Sequence, residues 1–267
     1  MWGQGLSQED FMIKDECILL DNDDNIVGHG NKKISHTFTP ENPRALVHRA
    51  FSVFLFNEEG KLLLQKRASD KITFPDVWTN TCCSHPLYGF EPNEIDLPEH
   101  VANGTVPGVK NAAIRKLEHE LGIATSNFKP EDFKFLTRLH YWAADVVTHG
   151  PDSPWGEHEI DYILFVKKNI PLSDIHPHPE EVGEAKYVSA EELRAMMAPE
   201  SGLLWSPWFR IIAERFLIHW WKDLDVTLNT DKYVDVKTIY RFDPTAEHMG
   251  GAGNARECWG RGQEYNP

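Results

Sequence analysis

The sequence has 267 residues, of which 41% are hydrophobic and 25% are charged, as is typical of a globular protein with a sizeable core. Its 27 Lys and Arg residues against 41 Asp and Glu residues give a formal net charge of −14. This balance argues against nucleic acid or an anionic membrane as a partner, and no apolar run approaches the length of a membrane span. The four cysteines are irregularly placed and no signal peptide is visible, so the sequence predicts a cytoplasmic protein.

Two β-hairpins are predicted near the start of the chain. In residues 17–30, CILLD and IVGHG flank the turn-rich NDDN, and in residues 49–67, RAFSVFLF and KLLLQKR flank NEEG. The second hairpin is apolar enough to be expected at the centre of a sheet. Residues 68–108 contain many Pro, Gly, Asn and Asp without periodicity. We predict a long loop there, of a kind that is more often functional than idle.

A helix and two long strands are predicted next. Apolar residues recur at helical spacing in VKNAAIRKLEHELG, which ends at Gly122. The segments FKFLTRLHYWA and HEIDYILFVKK are typical of strands, and they flank a loop at residues 148–157. Residues 184–188 are a further strand candidate.

Two helix starts are predicted in the last third of the chain. The segment SAEE, which begins at Ser189, has the pattern of a capping box. Ser206 and the proline after it suit the cap and first turn of an apolar helix, WFRIIAERFLIHWWKDL. The sequence thus predicts one mixed α/β domain over residues 1–242 and a loosely ordered tail over residues 243–267.

The stretch WGEHEIDYILF contains two carboxylates two residues apart, Glu157 and Glu159. On a strand they share one face, with His158 and Ile160 on the other. If they were buried together, a metal, another cation or a proton would be needed to offset their repulsion. From the pair alone, however, a solvated strand edge is the favoured interpretation.

The stretch TNTCCSHP places Cys82 and Cys83 beside Ser84 and His85. Adjacent cysteines are poorly placed to bond each other, and no second pair exists to complete a zinc finger. A metal site, a nucleophile, an acid–base thiol and ordinary packing all remain possible. A thiol in a polar loop beside serine and histidine favours a reactive role over packing.

Histidines and cations give a weaker indication of a site. Any single one of the 13 histidines is more often a surface or core residue than a ligand, although imidazoles with carboxylates suit Mg²⁺, Mn²⁺ or Zn²⁺. A group of cations near the cysteine loop and the following helix could hold a diphosphate, whereas each one singly is typical of a solvated face. These cations are Lys32, Lys33, Arg67, Lys71, Arg115 and Lys116.

Together, TNTCCSHP, WGEHEIDY, KITFP, AAIRKLEHELG, LVHRAF and SPWFRII resemble the type I isopentenyl-diphosphate isomerase family in order and spacing, over about residues 17–241. The resemblance implies a Nudix-like fold, a mixed β-sheet sandwiched between helices with extra N- and C-terminal elements. It also implies conversion of isopentenyl diphosphate to dimethylallyl diphosphate in isoprenoid biosynthesis. In the Nudix motif REUxEExGU, this sequence keeps Arg115, Glu120 and Gly122, but Lys116 and His119 replace two glutamates. That departure favours an isomerase over a hydrolase.

The resemblance also implies a role for individual residues. Cys83 and Glu159 would be the acid–base pair, with Tyr141 assisting proton transfer and Trp208 facing the carbocation. A divalent metal, Mg²⁺ or else Mn²⁺ or Zn²⁺, would be bound by His36, His48, His85, Glu157 and Glu159. The diphosphate would contact Lys32, Arg67, Lys71 and Ser84, with Arg115 and Lys116 as helpers and a second Mg²⁺ at Glu120. The expected partner is a prenyl diphosphate, and the expected state is a monomer.

Two other hypotheses remain. One is a Nudix hydrolase acting on nucleoside or prenyl diphosphates, which the altered glutamate motif disfavours. The other is a non-catalytic diphosphate-binding relative, which would be expected to lack Cys83 or one of the His and Glu ligands, and none of these is missing.

Overall fold

A computed structural model of the protein describes residues 5–242. The helices are α1 (Gln8–Lys14), α2 (Lys32–His36), α3 (Pro98–Ala102), α4 (Pro107–Leu121), α5 (Val146–His149), α6 (Ala190–Met197), α7 (Pro207–Ile212), α8 (Ile218–Lys222) and α9 (Leu224–Asn229). The strands are β1 (Glu16–Leu20), β2 (Ile26–Asn31), β3 (His48–Phe56), β4 (Leu62–Arg67), β5 (Trp78–Thr79), β6 (Cys82–Ser84), β7 (Lys134–Ala144), β8 (Gly156–Lys167), β9 (Val182–Val188) and β10 (Ile239–Phe242). The predicted mixed α/β architecture is confirmed.

The strands form one mixed sheet with β3 and β8 at its centre. Along its main path the order is β10-β7-β8-β3-β1-β2, while β4 and β6 also pair with β3. The central pair, β3 and β8, is parallel, whereas β7 pairs with β8 and β6 pairs with β3 in antiparallel fashion. Consequently β6 and β8 lie on opposite edges of β3, which determines where their side chains can meet.

Each face of the sheet packs against a different set of helices. Phe54 of β3 belongs to a core that includes Trp208 and Phe209 of α7. Its neighbour Val53 belongs to a second core, with Val109 and other residues of α4. Successive residues of a strand point to opposite faces, so this alternation assigns each position of β3, β6 and β8 to one face of the sheet or the other.

Both predicted hairpins and the long helix are confirmed. Strands β1 and β2 pair in antiparallel register, as do β3 and β4. Helix α4 ends at Gly122, whose φ of +65° is left-handed and whose added Cβ would lie 2.5 Å from the carbonyl oxygen of His176. At the other end of α4, the Asp96 carboxylate accepts the backbone N–H groups of Gly108 and Val109, each at 2.8 Å.

The prediction of an unstructured loop over residues 68–108 is wrong in part. The segment contains β5, β6 and α3, and α4 begins at Pro107. Strands of two or three residues are too short to have a periodic pattern. Tertiary pairing forms them, as Ser52 of β3 pairs with Cys83 of β6. The predicted loop at residues 148–157 likewise overlaps the end of α5 and the start of β8.

The capping box at Ser189 is confirmed, but the apolar C-terminal helix differs from the prediction. It is divided into α7, a π-helical segment at Ala213–Leu217, and α8. The Ser206 side chain does not cap α7, because its hydroxyl lies 2.8 Å from the Thr79 hydroxyl, which it contacts instead.

The described part of the chain includes no helix long and apolar enough to cross a membrane. The predicted loose tail at residues 243–267 lies outside the described residues, and the single domain over residues 1–242 stays a prediction.

Candidate active site

The two carboxylates of β8 lie inside the sheet, so their interpretation as a solvated strand edge is wrong. Glu157 is 4% exposed and Glu159 is 2% exposed. Strand β8 has a neighbour on each side, with Glu159 in register with His48 of β3 and with Tyr141 of β7. The sequence pattern could not reveal this burial, because a half-buried edge strand and a central strand can show the same alternation of polar and apolar residues. The two differ only in what covers the polar face.

Three histidines converge on these carboxylates. His36 ends α2, His48 begins β3, and His85 directly follows β6. One potential ligand atom from each histidine and from Glu157 and Glu159 lies within 4.8 Å of all the others, and all five residues are buried. Four segments distant in sequence therefore supply a compact cluster of nitrogen and oxygen donors.

The orientation of the rings makes this cluster suitable for a cation. The Nδ1 atoms of His36 and His48 donate to the carbonyl oxygens of Lys32 and Leu46, at 2.7 and 2.8 Å. A carbonyl oxygen only accepts, so in the neutral form of each ring the Nε2 atom carries the lone pair, and the His36 Nε2 lies 2.9 Å from the Glu157 Oε2. Both Nε2 atoms and this carboxylate oxygen are buried without a well-formed hydrogen bond. Lone pairs facing a carboxylate fit a bound divalent metal.

The pKa values of the histidines agree with this role. Burial, together with the neighbouring His36, lowers the pKa of His48 to about 3. Burial and the adjacent His48 also hold the pKa of His85 well below its usual range. Both rings are thus neutral at physiological pH, which is the form that binds metals.

Glu159 differs from Glu157 in its contacts. Its Oε2 accepts a hydrogen bond from the Tyr141 hydroxyl at 2.5 Å, and its Oε1 lies 2.8 Å from the Nε2 of His85. Burial and the charges of Glu157 and Asp161 hold the pKa of Glu159 well above its usual range. Glu159 is therefore a carboxyl group that can carry a proton beside a fixed phenol.

The two adjacent cysteines face opposite cores. Cys82 is fully buried against the core that contains α4. Cys83 packs against the other core, with Tyr141 and Trp208, and its thiol faces the cleft that Glu159 also lines. Both thiols are free. Burial and the charge of Glu159 raise the pKa of Cys83, so that its thiol is protonated at neutral pH.

The ring of Trp208 forms an aromatic wall of the same cleft. Its Nε1 donates to the Thr79 Oγ1 at 2.9 Å and to the Asn80 Oδ1 at 3.1 Å. Phe74 packs against it edge-on, with 5.7 Å between ring centroids. With its N–H bonded and its edge packed, the indole has a fixed orientation in the cleft.

Comparisons with known proteins identify the family. A profile of the NUDIX domain matches residues 46–209. Isopentenyl-diphosphate delta-isomerase IDI1 of Gibberella zeae is 48% identical over 239 residues, 89% of this chain and 87% of that protein. The chain belongs to the isopentenyl-diphosphate delta-isomerase family.

Other members of the family match at similar length. The isopentenyl-diphosphate delta-isomerase of Candida albicans is 46% identical over 247 residues, 89% of this chain and 83% of that protein. The chloroplastic isopentenyl-diphosphate Delta-isomerase II of Arabidopsis thaliana is 44% identical over 244 residues, 90% of this chain and 80% of that protein. The predicted family, Nudix-type fold and isomerase activity are thus confirmed.

Cations surround one end of the cleft in this isomerase. The cleft is lined by Lys32, Arg67, Lys71, Thr73, Cys83, Ser84, His85, Lys116, Glu120, Glu157, Glu159 and Trp208. All of these residues except Thr73 were predicted from the sequence as candidate site residues. His36 and Tyr141 do not line the cleft, but His36 contacts the carboxylate of Glu157 and Tyr141 contacts that of Glu159. His48 lies within 4 Å of both carboxylates.

Arg115 lies outside this lining. Its Nε and Nη2 donate to the two carboxylate oxygens of Glu94, at 2.6 and 2.8 Å, and Nη2 also donates to the carbonyl oxygen of His85 at 3.2 Å. The guanidinium thereby fixes the backbone of a metal-ligand candidate. Its predicted role as a helper in diphosphate binding stays a prediction.

Glu120, the predicted ligand of a second Mg²⁺, lines the cleft but is separate from the His and Glu cluster. Its Oε1 lies 3.2 Å from the Lys116 Nζ, and its Oε2 accepts from the Gln65 Nε2 at 3.0 Å. The replacement of a Nudix-motif glutamate by Lys116 therefore puts a cation beside the remaining carboxylate.

Two further polar residues of the site were missed by the sequence analysis. The hydroxyl of Thr73 donates to the Glu157 Oε1 at 3.1 Å, and the Glu181 carboxylate accepts from the Lys71 Nζ at 2.6 Å. Thr73 stands inside the motif KITFP, which could have suggested it. Glu181, in HPEEVG, has no local signal that separates it from a surface glutamate.

Proposed function

We propose that the chain interconverts isopentenyl diphosphate and dimethylallyl diphosphate, with Cys83 and Glu159 as the proton-transferring pair. One observation carries the assignment. The thiol and the carboxyl group come from strands on opposite edges of β3 and line one cleft together with the aromatic ring of Trp208 and four cations. Moving a double bond requires an acid and a base on different sides of the substrate in a site with little water.

The cations hold the diphosphate at one end of the cleft. Lys32, Arg67, Lys71 and Lys116 all line it, and Ser84 adds a hydroxyl. The Arg67 guanidinium is itself fixed, because its Nε and Nη2 donate to the carbonyl oxygens of Phe74 and Thr73 at 2.9 and 2.8 Å. Charge-assisted hydrogen bonds of this kind place the hydrocarbon end of the substrate toward Cys83 and Glu159.

The hydrocarbon end then undergoes two proton transfers. A proton added to the terminal alkene carbon gives a tertiary carbocation, and loss of a proton from the adjacent methylene gives the allylic product. Tyr141 holds the Glu159 carboxyl group in place through its hydroxyl. The Trp208 π-face stabilises the cation, by about 2 kcal/mol or more in a desolvated site.

A divalent cation, Mg²⁺ or else Mn²⁺ or Zn²⁺, would be held by His36, His48, His85, Glu157 and Glu159. When bound, it offsets the charge of the carboxylates and orders the residues that surround the reacting carbons. Glu120 would hold a second Mg²⁺ that accompanies the diphosphate.

The hydrolase hypothesis is less well supported. Hydrolysis at a Nudix motif relies on several glutamates, whereas Lys116 here replaces one and lies 3.2 Å from Glu120. A non-catalytic relative is also less well supported, because every predicted catalytic and metal-binding side chain is present.

The assignment is tested with purified protein, Mg²⁺ and isopentenyl diphosphate. We expect dimethylallyl diphosphate as the product and no release of phosphate. Steady phosphate release without an allylic product would establish a hydrolase instead, and binding without either product would establish a non-catalytic relative.

Two matched substitutions test the roles within the cleft. Cys83→Ala and Glu159→Gln should each lower kcat by at least about 1,000-fold, since each removes one of two required proton carriers. Cys82→Ala, which alters the adjacent thiol in the other core, should retain most activity. Equal losses at Cys82 and Cys83 would contradict the assignment of the thiol.

The proposal extends to a monomer in the cytoplasm. A single elution volume corresponding to one chain in size-exclusion chromatography, and a cytoplasmic signal from a fluorescent fusion at either terminus, would support these two points. The chloroplastic relative from Arabidopsis makes the second measurement informative.

A further inference from the structure

A buried carboxylate, Glu181, joins three separate segments at the cationic end of the cleft. It is 5% exposed and stands just before β9. Its Oε2 accepts from the Lys71 Nζ at 2.6 Å, and its Oε1 accepts from the Gln8 Nε2, on helix α1, at 2.9 Å. Its backbone carbonyl accepts from the Ala68 N–H at 3.0 Å, so it also fixes the start of the segment that carries Lys71.

The surroundings of Glu181 are strongly cationic. Burial alone would raise its pKa, but Lys71, Lys116 and Lys32 hold that pKa well below its usual range, so the carboxylate stays ionised. The same three lysines line the cleft. Ammonium groups that line one partly buried cleft repel one another when water is excluded, and a shared carboxylate offsets that repulsion.

We propose that Glu181 is a positioning residue of the diphosphate site: it holds the Lys71 ammonium group, and with it the segment from Ala68, in the arrangement that receives the substrate. Glu181 does not line the cleft, so it acts through Lys71 rather than by touching the substrate. Helix α1 takes part through Gln8, which fixes the second carboxylate oxygen. This inference rests on the proposed function, because it assumes that the cationic end binds a diphosphate.

Removal of the charge gives opposite results under two hypotheses. If Glu181 were only an anion near an anion-binding site, its neutralisation would strengthen diphosphate binding by removing repulsion. If it positions Lys71, neutralisation would weaken binding, because Lys71 would lose its hydrogen-bond acceptor and its neighbours would repel it. The sign of the change therefore decides between them.

The experiment measures binding of inorganic pyrophosphate with Mg²⁺ by calorimetry, together with kcat and KM for isopentenyl diphosphate. For Glu181→Gln we expect Kd and KM to rise about tenfold, equivalent to about 1.4 kcal/mol, with kcat within about twofold of its original value. Glu181→Asp, which keeps the charge, should recover part of the affinity. Glu180→Gln is the matched control, since it makes the same charge change at the adjacent, half-buried position, and it should alter neither constant.

A double-mutant cycle with Lys71→Met shows whether Glu181 acts through that lysine. In the Lys71→Met background, Glu181→Gln should have little further effect on the pyrophosphate Kd. Gln8→Ala should weaken binding in the same direction by about twofold to threefold, as one neutral hydrogen bond would, and it remains measurable if Glu181→Gln does not fold.

Unchanged or tighter pyrophosphate binding in Glu181→Gln would overturn the inference. It would also be overturned if the effects of Glu181→Gln and Lys71→Met on the pyrophosphate Kd were additive, or if Glu181→Gln lowered kcat and left KM unchanged. These outcomes are distinct from failure of the proposed function, in which the unsubstituted protein would itself leave isopentenyl diphosphate unchanged.

Discussion

Two of the buried polar clusters in the described part of the chain differ in how their polar atoms are paired. The first is the cluster of three histidines and two glutamates at the cleft. The second surrounds Asp24, in the turn between β1 and β2. Both clusters hold charged groups that are at least nine-tenths buried, and both draw on β3, β7 or β8. Burial alone does not separate a functional cluster from a structural one.

The Asp24 cluster uses its charges to satisfy each other. The Asp24 carboxylate accepts from the Arg49 Nη2 at 2.8 Å, from the Arg138 Nη1 at 2.9 Å and from the Tyr162 hydroxyl. The Arg49 Nη1 also donates to the carbonyl oxygen of Asp96 at 2.9 Å. Donors therefore point at the Asp24 carboxylate from three sides, although the Nε atoms of Arg49 and Arg138 are buried without a hydrogen-bond partner.

The cluster at the cleft has the opposite character. When the rings are neutral, the Nε2 lone pairs of His36 and His48 face the carboxylates of Glu157 and Glu159, so that acceptors point at acceptors. Such a convergence is costly unless a cation or a proton occupies its centre. The comparison teaches that the direction of donors and acceptors, rather than burial, identifies the functional cluster.

The largest effect that would sharpen this contrast is expected at Glu157. Glu157→Gln replaces a ligand oxygen and a charge, so the protein should lose its bound divalent metal and about 1,000-fold in kcat, equivalent to about 4 kcal/mol. Elemental analysis after dialysis measures the metal content. Glu184→Gln, at an exposed position of β9, is the control. If Glu157→Gln kept its full metal content, the His and Glu cluster could not be distinguished from the Asp24 cluster as a metal site.

The next largest effect is expected in stability, at Asp24. Asp24→Asn leaves Arg49 and Arg138 buried without their common counter-ion, and should lower the free energy of unfolding by about 3 kcal/mol. Urea titration measures this, and the folded fraction should keep its kcat. Asp23→Asn is the control, because the Asp23–Arg241 pair is exposed and should contribute at most about 1 kcal/mol. A loss of kcat with stability intact would give Asp24 a catalytic role.

A smaller effect is expected at Thr73, which orients a metal-ligand candidate through its hydroxyl. Thr73→Val removes the hydrogen bond to the Glu157 Oε1 and should weaken metal affinity by about 10- to 100-fold. Competition with a fluorescent chelator measures the affinity. Thr73→Ser keeps the hydroxyl and should stay near the original value, whereas equal losses in both variants would point to packing by the methyl group.

The smallest effect is expected from pH, at the cationic end of the cleft. Burial lowers the pKa of Lys71 to about 8, with Glu181 opposing that shift and Lys32, Arg67 and Lys116 adding to it. The ammonium is charged below this pKa and neutral above it, so diphosphate affinity should fall as pH rises through about 8. A decline of kcat/KM above pH 8, by up to about tenfold per unit, would record this loss. In Lys71→Arg the side chain stays charged, and a decline that persists there would assign it to another group.

Local patterns predicted much of the fold. The two hairpins, helix α4 with its end at Gly122, the strands β7 and β8, and the capping box at Ser189 all depend on neighbouring residues in the chain. The short strands β5 and β6 and the division of the C-terminal helix were not predictable in this way. Strand β5 depends on pairing with β4 and strand β6 on pairing with β3, and the C-terminal helix depends on contacts such as that between Ser206 and Thr79.

The sequence by itself determined the family and, through the resemblance that its motifs carry, every residue that lines the cleft except Thr73. Only the tertiary structure decided how these residues face one another. It buried Glu157 and Glu159 by placing a strand on each side of β8. It separated Cys82 from Cys83 by the alternation of β6, and it brought Glu181 to Lys71 from 110 residues away. The physical reason is that burial and ion pairing arise from contacts between distant segments, which no local pattern encodes.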